Sequence, residues 1–398
     1  VGGPARALFD DCRRRGGYIG PLFDWRLNWG VCIDPAAMRL AIVEELARRG
    51  VRLLLGSCVQ GAAVAAGRLA AVEIVQRQGR VRLDGDVFVD ASGDGTLAVL
   101  AGATCDQAPG GALQPVSLTF RMGQVDLPLL MRFIRDNPGE FMLAESPLID
   151  KSAAECVQEI YRSGLPFVPL TAKGPLLGGA IARGDVAPCT GIFMWPTSLP
   201  RREVGLNMTR LAGVDATDNA AWSAALPVLA HQVEQGVAFL RDRVPGFADA
   251  VLADTAYGVG VRETRRIRGE ATLQDDAVRE ARHTDDGIAR GAHHIDLHGA
   301  GTEQTRIPVR EGGSYDIPFG CLVPLGLRNL LVAGRCISST RAANGSCRVM
   351  GTCLALGQAA GTAAARVAAD GLDDTRALDV TALRTLLKAQ GAVIDGTR

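Results

Sequence analysis

Four groups of residues in this chain of 398 could do chemistry. The first is Arg262, Glu263, Arg265 and Arg266, within YGVGVRETRRIRGE (257–270). A guanidinium grips a carboxylate through two parallel hydrogen bonds. The cluster is therefore expected to clamp an anionic substrate, with Arg262 and Arg265 as candidate catalytic side chains, or to bracket two domains by ion pairs. A solvated basic face is the plain alternative. The second group is His293, His294 and His298 in HHIDLHG, with His298 the candidate acid–base. Alternation around Ile295 and Leu297 predicts a strand, which sets His294 and His298 two pleats apart. That is long for a shared ion, so no metal site is expected. The third is the segment VFVDASGDG (87–95), a strand running into Ala91, Ser92, Gly93 and Asp94. Small residues at a strand's carboxyl end let a ligand approach the backbone. The fourth is NLLVAG (329–334), a strand ending at Gly334-Arg335, then a loop and a helix beginning near Gly351. The free N–H groups of a helix start stabilise an anion, and Arg335 and Arg348 add fixed positive charge.

Two features of these blocks admit a second reading. Gly93 to Ala98 spells G-x-G-x-x-A between a strand and a helix, which imitates a dinucleotide fingerprint and would make the chain an NAD-binding dehydrogenase. The fingerprint also wants a second strand ending in an acid about 20 residues on, and Asp106 comes too early. Cys336, Cys347 and Cys353 fall in the last block. A thiol pair could exchange electrons with a cofactor, but buried cysteines more often pack as small hydrophobes.

The elements that must position these residues follow from periodicity and caps. Asp34 caps a helix whose first residue is Pro35, with Met38, Ile42 and Leu46 on one face and Gly50 at its end. VRLLLG (51–56) is expected as a buried strand, followed by strands near 58–65 and 69–78 with Gly67 at the turn. A short helix opens at 96–102. Further on, a strand is expected at 116–122, helices at 127–136, 151–163 and 217–243, and strand-like pieces across 186–210. The small-residue run 351–371 is a helix in which Gly357 and Gly361, one turn apart, permit close backbone packing. Asp379 caps a last helix near 380–390.

Composition excludes several classes. Hydrophobic residues make up 47% and charged residues 22%, the balance of a globular protein. Lys+Arg and Asp+Glu stand at 43 each, leaving no basic excess to neutralise nucleic-acid phosphates. No run of about 18 apolar residues marks a membrane span, and no signal peptide is evident. The ten cysteines include no CxxC pair and are read as reduced thiols of a cytoplasmic protein.

Three blocks in this order, VFVDASGDGTLAVLAGA (87–103), YGVGVRETRRIRGE (257–270) and the long run IPFGCLVPLG…AGTAAA (317–365), resemble FAD-dependent oxidoreductases of the glutathione-reductase-like flavin fold. The branch is that of succinate dehydrogenase flavoproteins and the flavin-carrying part of heterodisulfide reductase. The resemblance implies that Ala91, Ser92, Gly93 and Asp94 lie beside the adenosine end of FAD, with the backbone near Val59 meeting the adenine. Gly334 and Arg335 would lie near the pyrophosphate and ribityl chain, where many relatives have Asp in place of Arg335. Arg348, Val349, Met350 and Thr352 would face the isoalloxazine. Iron–sulfur clusters of some relatives are not supported by the cysteine spacing. The family's initial strand, G-x-G-x-x-G loop and helix do not precede residue 33. That predicts weak or absent FAD binding by 1–398 alone, and a partner chain supplying the βαβ unit if it is not supplied in the same protein.

The expected fold is α/β. An FAD-binding, Rossmann-like domain comprises 1–105 and 311–375, an inserted α+β substrate or cap domain spans 106–310, and a C-terminal helix occupies 376–398. The expected function is hydride or electron-pair transfer at flavin N5 to or from a small molecule, anionic if the arginine cluster clamps it, by a chain that forms a homo-oligomer or joins a partner supplying the βαβ unit. The alternative is a non-catalytic or split-enzyme subunit.

Overall fold

The computed structural model describes residues 2–108, 112–299 and 301–395. Its organising feature is a pair of short parallel strands far apart in sequence, Phe88–Asp90 and Leu330–Val332, in register Leu330 with Phe88 and Val332 with Asp90. Leu330, Leu331 and Val332 are wholly buried. Asn329 locks the pair to the neighbouring sheet. Its Nδ2 donates to the carbonyls of Leu69 and Asp86, both at 2.8 Å, and its Oδ1 accepts from Leu69 N at 2.8 Å. A fully buried amide that satisfies three backbone groups costs little while bonded and much if removed.

A three-stranded antiparallel sheet, Cys58–Ala65, Arg68–Gln76 and Gly79–Asp84, packs beside this pair. The helix Met350–Ala369 lies against Phe88–Asp90, Leu330–Val332 and the turn Gly334–Cys336. Together they bury one apolar core, to which residues 69–103 and 267–394 contribute.

A second core draws on residues 116–259. Its frame is a five-stranded antiparallel sheet in the order Val251–Thr255, Phe120–Gly123, Glu203–Asn207, Gly191–Ser198, Val168–Thr171. The helix Asn219–Arg243, capped by Asp218, lies across it. Gly236 makes this close approach possible, since a Cβ there would sit 2.3 Å from the Met208 sulfur. The stretch expected as one cap unit at 106–310 thus feeds both cores, with 267–309 in the first.

Many elements form where local chemistry demands. Asp34 accepts from Ala36 N ahead of the helix Pro35–Arg48, and Asp379 accepts from Thr381 N and Ala382 N ahead of Val380–Ala389. Leu127–Asp136 and Ala153–Ser163 lie where periodicity sets them, the latter with a full Ser152–Glu155 capping box. The run 51–56 is the main departure. It forms no strand, and Val51, Leu53, Leu54 and Leu55 are exposed, Leu55 to 85%. An isolated extended run has no ladder to satisfy its backbone, and among the described residues no strand pairs with it. The segment before residue 34, given no elements by sequence, contains the helix Gly3–Arg14 and the hairpin Tyr18–Phe23 with Trp29–Ile33.

Candidate functional site

The strand pair delivers two loops to the same end of the molecule. Asp90 shapes the first: its carboxylate accepts from Ser92 N (3.0 Å), Ser92 Oγ (2.6 Å) and Ala98 N (3.0 Å). Ala91 and Ser92 remain exposed at the strand's end, and Gly93 turns with φ +77. A Cβ on Gly93 would lie 2.7 Å from the Arg335 guanidinium, so glycine is what lets that side chain lie over the loop. Arg335 Nη2 donates to Asp94 Oδ1 at 3.0 Å, and Thr264 Oγ1 donates to the same oxygen at 2.8 Å. Gly334, with φ +88, faces open space.

The G-x-G-x-x-A match at Gly93–Ala98 does not open a βαβ unit. After the five-residue helix Thr96–Leu100 the chain enters Cys105–Gln107, which pairs antiparallel with Arg265–Ile267 rather than lying beside Phe88–Asp90.

Beyond Arg335, Thr340 caps Arg341–Cys347, and Val349 precedes the helix Met350–Ala369. Thr352 is buried, whereas Met350 is 84% exposed. Val59 sits on Cys58–Ala65, paired with Ile74, and the helix Thr96–Leu100 packs on that strand. Arg348 Nη2 donates to Gln114 Oε1 (3.3 Å) and to the Asp296 carbonyl (3.2 Å). Burial pulls Arg348 below the usual guanidinium value, the Asp296 carboxylate opposes this, and Arg335 adds repulsion. Arg335 Nη1, Arg348 Nε and Gln114 Nε2 are buried without a hydrogen-bond partner among the described residues. Unpaired buried donors are costly, and these three, two of them on arginines, suit an anionic ligand.

A solvent-open cavity lies next to this region. Arg26, Arg210, Arg262, His298 and Gln304 supply most of its hydrogen-bonding wall, and Met142, Pro169, Phe193 and Met208 form the apolar part. Among the described residues no carboxylate lines it. Arg262 Nη1 donates to the Pro115 carbonyl and to Ser117 Oγ, each at 2.6 Å, and among the described residues it has no acidic partner. Burial pushes Arg262 down to about 10, with further repulsion from Arg348. Arg210 donates to Thr190 Oγ1 at 2.7 Å and to the Gly299 and Glu303 carbonyls, while its Nε is buried without a partner among the described residues. Arg26 is held by Glu145 at 2.7 Å.

The arginine cluster divides by side of the strand. Glu263, 2% exposed, accepts from Arg266 (3.0 Å), Arg341 (3.1 Å) and Gln114 N (3.1 Å), tying three segments together. Arg265 is not on the cavity wall: strand alternation sends Arg266 inward to Glu263 and Arg265 the other way, within electrostatic reach of Asp215. Its expected pairing with Arg262 in one clamp is not what the fold builds.

The histidines divide too. His293 and His294 stack with ring centroids 4.1 Å apart. Arg306 Nε donates to His294 Nε2 at 2.9 Å, so His294 Nδ1 carries the proton and donates to Asn28 Oδ1 at 3.1 Å. Burial, foremost, drops His294 to about 2. His298, on the strand Ile295–His298, keeps its ring at the cavity and pairs through Nε2 with Asp296 Oδ2 at 3.1 Å. No group of three or more potential metal ligands occurs among the described residues. Arg26, Gln114 and Arg210 join the site without any sequence signal, since they stand in no motif. Asp296 had a signal: it is two residues before His298 on a strand, hence on the same face.

A family model described as FAD dependent oxidoreductase matches residues 1–387. The chain belongs to the FAD-dependent oxidoreductase family. FAD is therefore its cofactor type, and the orphaned donors of Arg335, Arg348 and Gln114 beside the bare loops at Ser92 and Gly334 fit a ligand with an anionic centre. No curated protein matches. Among solved structures, a geranylgeranyl bacteriochlorophyll reductase-like protein from Thermoplasma acidophilum is similar over 90% of this chain at 9% identity and TM-score 0.39. The myxobacterial chondrochloren halogenase, an FAD-dependent halogenase, is similar over 97% at 10% identity and the same TM-score. The chain spans 58% and 67% of their lengths. Among the described residues of this FAD-oxidoreductase family member, no helix is long and apolar enough to cross a membrane.

Proposed function

We propose that this chain moves a hydride or electron pair between FAD and a small anionic molecule held in the Arg262 cavity. The observation that carries the reading is the cavity wall, with three arginines, one histidine and no carboxylate. An anion entering it would meet the side chains of Arg210 and Arg262, the latter without an acidic partner among the described residues. Bound FAD would supply the two-electron chemistry. The protein's residues would do the rest. Ala91, Ser92, Gly93 and Asp94 would take the adenosine end, with Val59 near the adenine. Gly334 and Arg335 would take the pyrophosphate, and Arg348, Val349, Met350 and Thr352 the isoalloxazine side. His298 would exchange a proton with the substrate at Nδ1, which makes no hydrogen bond among the described residues. The ten cysteines, all unpaired, support a reducing cytoplasmic setting.

Benzoate tests the anion site, since its ring suits the apolar wall. Calorimetry is expected to show binding to the full chain, weakened about 10- to 150-fold in Arg262→Ala by loss of a charged hydrogen bond of about 1.5–3 kcal/mol. Equal affinity in both proteins contradicts the reading.

A second reading, a subunit completed by a βαβ unit from a partner or from further residues of the same protein, is favoured by bare surface. The exposed run 51–55, the unpaired edge of Phe88–Asp90, and the Met350, Leu354, Gly357 and Gly361 stripe are unfilled among the described residues. Co-purification of a chain carrying G-x-G-x-x-G supports it, and its seat is tested by Leu55→Asp, which should abolish the association.

A further inference from the structure

His298 alone does not define an acid–base group; the ring must hold one nitrogen toward the cavity in a fixed protonation state. Asp296 occupies the position to do this. It stands on the same strand face as His298 and is mostly buried. Its Oδ2 meets His298 Nε2 at 3.1 Å and lies 3.6 Å from Arg348. Its Oδ1 accepts from Gln304 Nε2 at 2.7 Å, and its own carbonyl accepts from Arg348 at 3.2 Å. Three partners fix the carboxylate, so it is not free to turn away from the ring. A carboxylate accepts only, so Nε2 must carry the hydrogen and Nδ1 the lone pair.

We propose that Asp296 is the positioning residue of this site, fixing His298 as the Nε2–H tautomer with Nδ1 open to the bound molecule and joining it to Arg348. The inference rests on the anion-cavity reading above. It adds a buried counter-charge that ties the substrate-side histidine to the arginine expected beside the flavin.

The charges facing His298 are Asp296 from its own strand, Arg262 from the segment after Val251–Thr255, and Arg348 from the end of the helix Arg341–Cys347. Burial lowers the ring's affinity for protons most, Asp296 raises it, and Arg262 and Arg348 lower it. With Asp296 neutralised, only lowering influences remain.

Two measurements on the full chain test this. In the wild type, 15N NMR of the ring at a pH where His298 is neutral should show the Nε2–H tautomer; a dominant Nδ1–H tautomer overturns the proposal without any variant. Second, benzoate affinity should strengthen as pH falls through the titration of His298, because an imidazolium attracts the anion. In Asp296→Asn the midpoint of that strengthening should move down by about 1–2 pH units, the usual effect of removing an opposite charge within about 4–6 Å. A purely structural aspartate would change stability and leave the midpoint in place, and an unmoved midpoint in a folded variant overturns the proposal. If benzoate does not bind the wild type at all, the anion-cavity reading fails, while the tautomer measurement still decides the role of Asp296.

Discussion

Replacing Glu263 by Gln removes a buried charge that three donors share. Arg266 at 3.0 Å, Arg341 at 3.1 Å and Gln114 N at 3.1 Å converge on a carboxylate that is 2% exposed. Gln keeps the shape and one acceptor oxygen but turns an amide NH₂ toward the two guanidinium groups. Breaking a buried ion pair by neutralising one side costs about 3–5 kcal/mol. Unfolding entropy of about 2.1 cal/mol/K per residue gives about 0.8 kcal/mol/K for 398 residues, so the melting temperature should fall by about 4–6 °C. Glu270→Gln is the control, because the Arg376–Glu270 pair at 2.7 Å has both side chains about one-third exposed. Such pairs contribute about 0–1 kcal/mol, a fall of about 1 °C at most. Differential scanning calorimetry of the three proteins is the assay. If Glu263→Gln melts within about 1 °C of wild type, Glu263 is not the buried tie between Gln114, Arg266 and Arg341 described above.

Asn329→Ala strands the buried Leu69 and Asp86 backbone groups and should cost about 2–4 kcal/mol, read as a melting shift of about 2–5 °C. Gly93→Ala forces a side chain into φ +77 and against Arg335, so it should destabilise by about 1–2 kcal/mol from the backbone alone, measured by urea unfolding. Leu55→Asp changes a residue 85% exposed and should leave stability within about 0.5 kcal/mol of wild type in the same assay; a larger loss means the 51–55 run is packed.

Much of this arrangement is legible in the sequence, for definite reasons. Caps at Asp34, Ser152 and Asp379 and the periodic runs at 127–136 and 153–163 are local signals, and the elements follow them. The apolar runs VFVD and LLV are recognisable singly, and their meeting in one parallel pair is what the family resemblance implies, but only LLV is buried throughout: Val89 is exposed because no strand covers that edge among the described residues. The run 51–56 departs from its apolar strand pattern because such a pattern states only that burial is available; pairing requires a neighbour, and none lies beside it among the described residues. Arg262 and Arg265 part because Arg262 lies before the strand Arg265–Ile267 and is held by the Pro115 carbonyl and Ser117, whereas Arg265 is on the strand, on the face opposite Arg266 and within electrostatic reach of Asp215. Arg26 and Arg210 reach the cavity from distant segments, and nothing adjacent to them in sequence carries that information.

The central claim is that the loops after Asp90 and Val332 together receive the flavin nucleotide. Hydrogen exchange of the full chain, read by mass spectrometry with and without millimolar FAD, tests it even where binding is weak. Slowed exchange is expected to concentrate in Ala91–Ala98 and in Ala333–Thr352, and to be reduced in Arg335→Ala. Protection centred elsewhere, or none in those two segments at any FAD concentration, contradicts it.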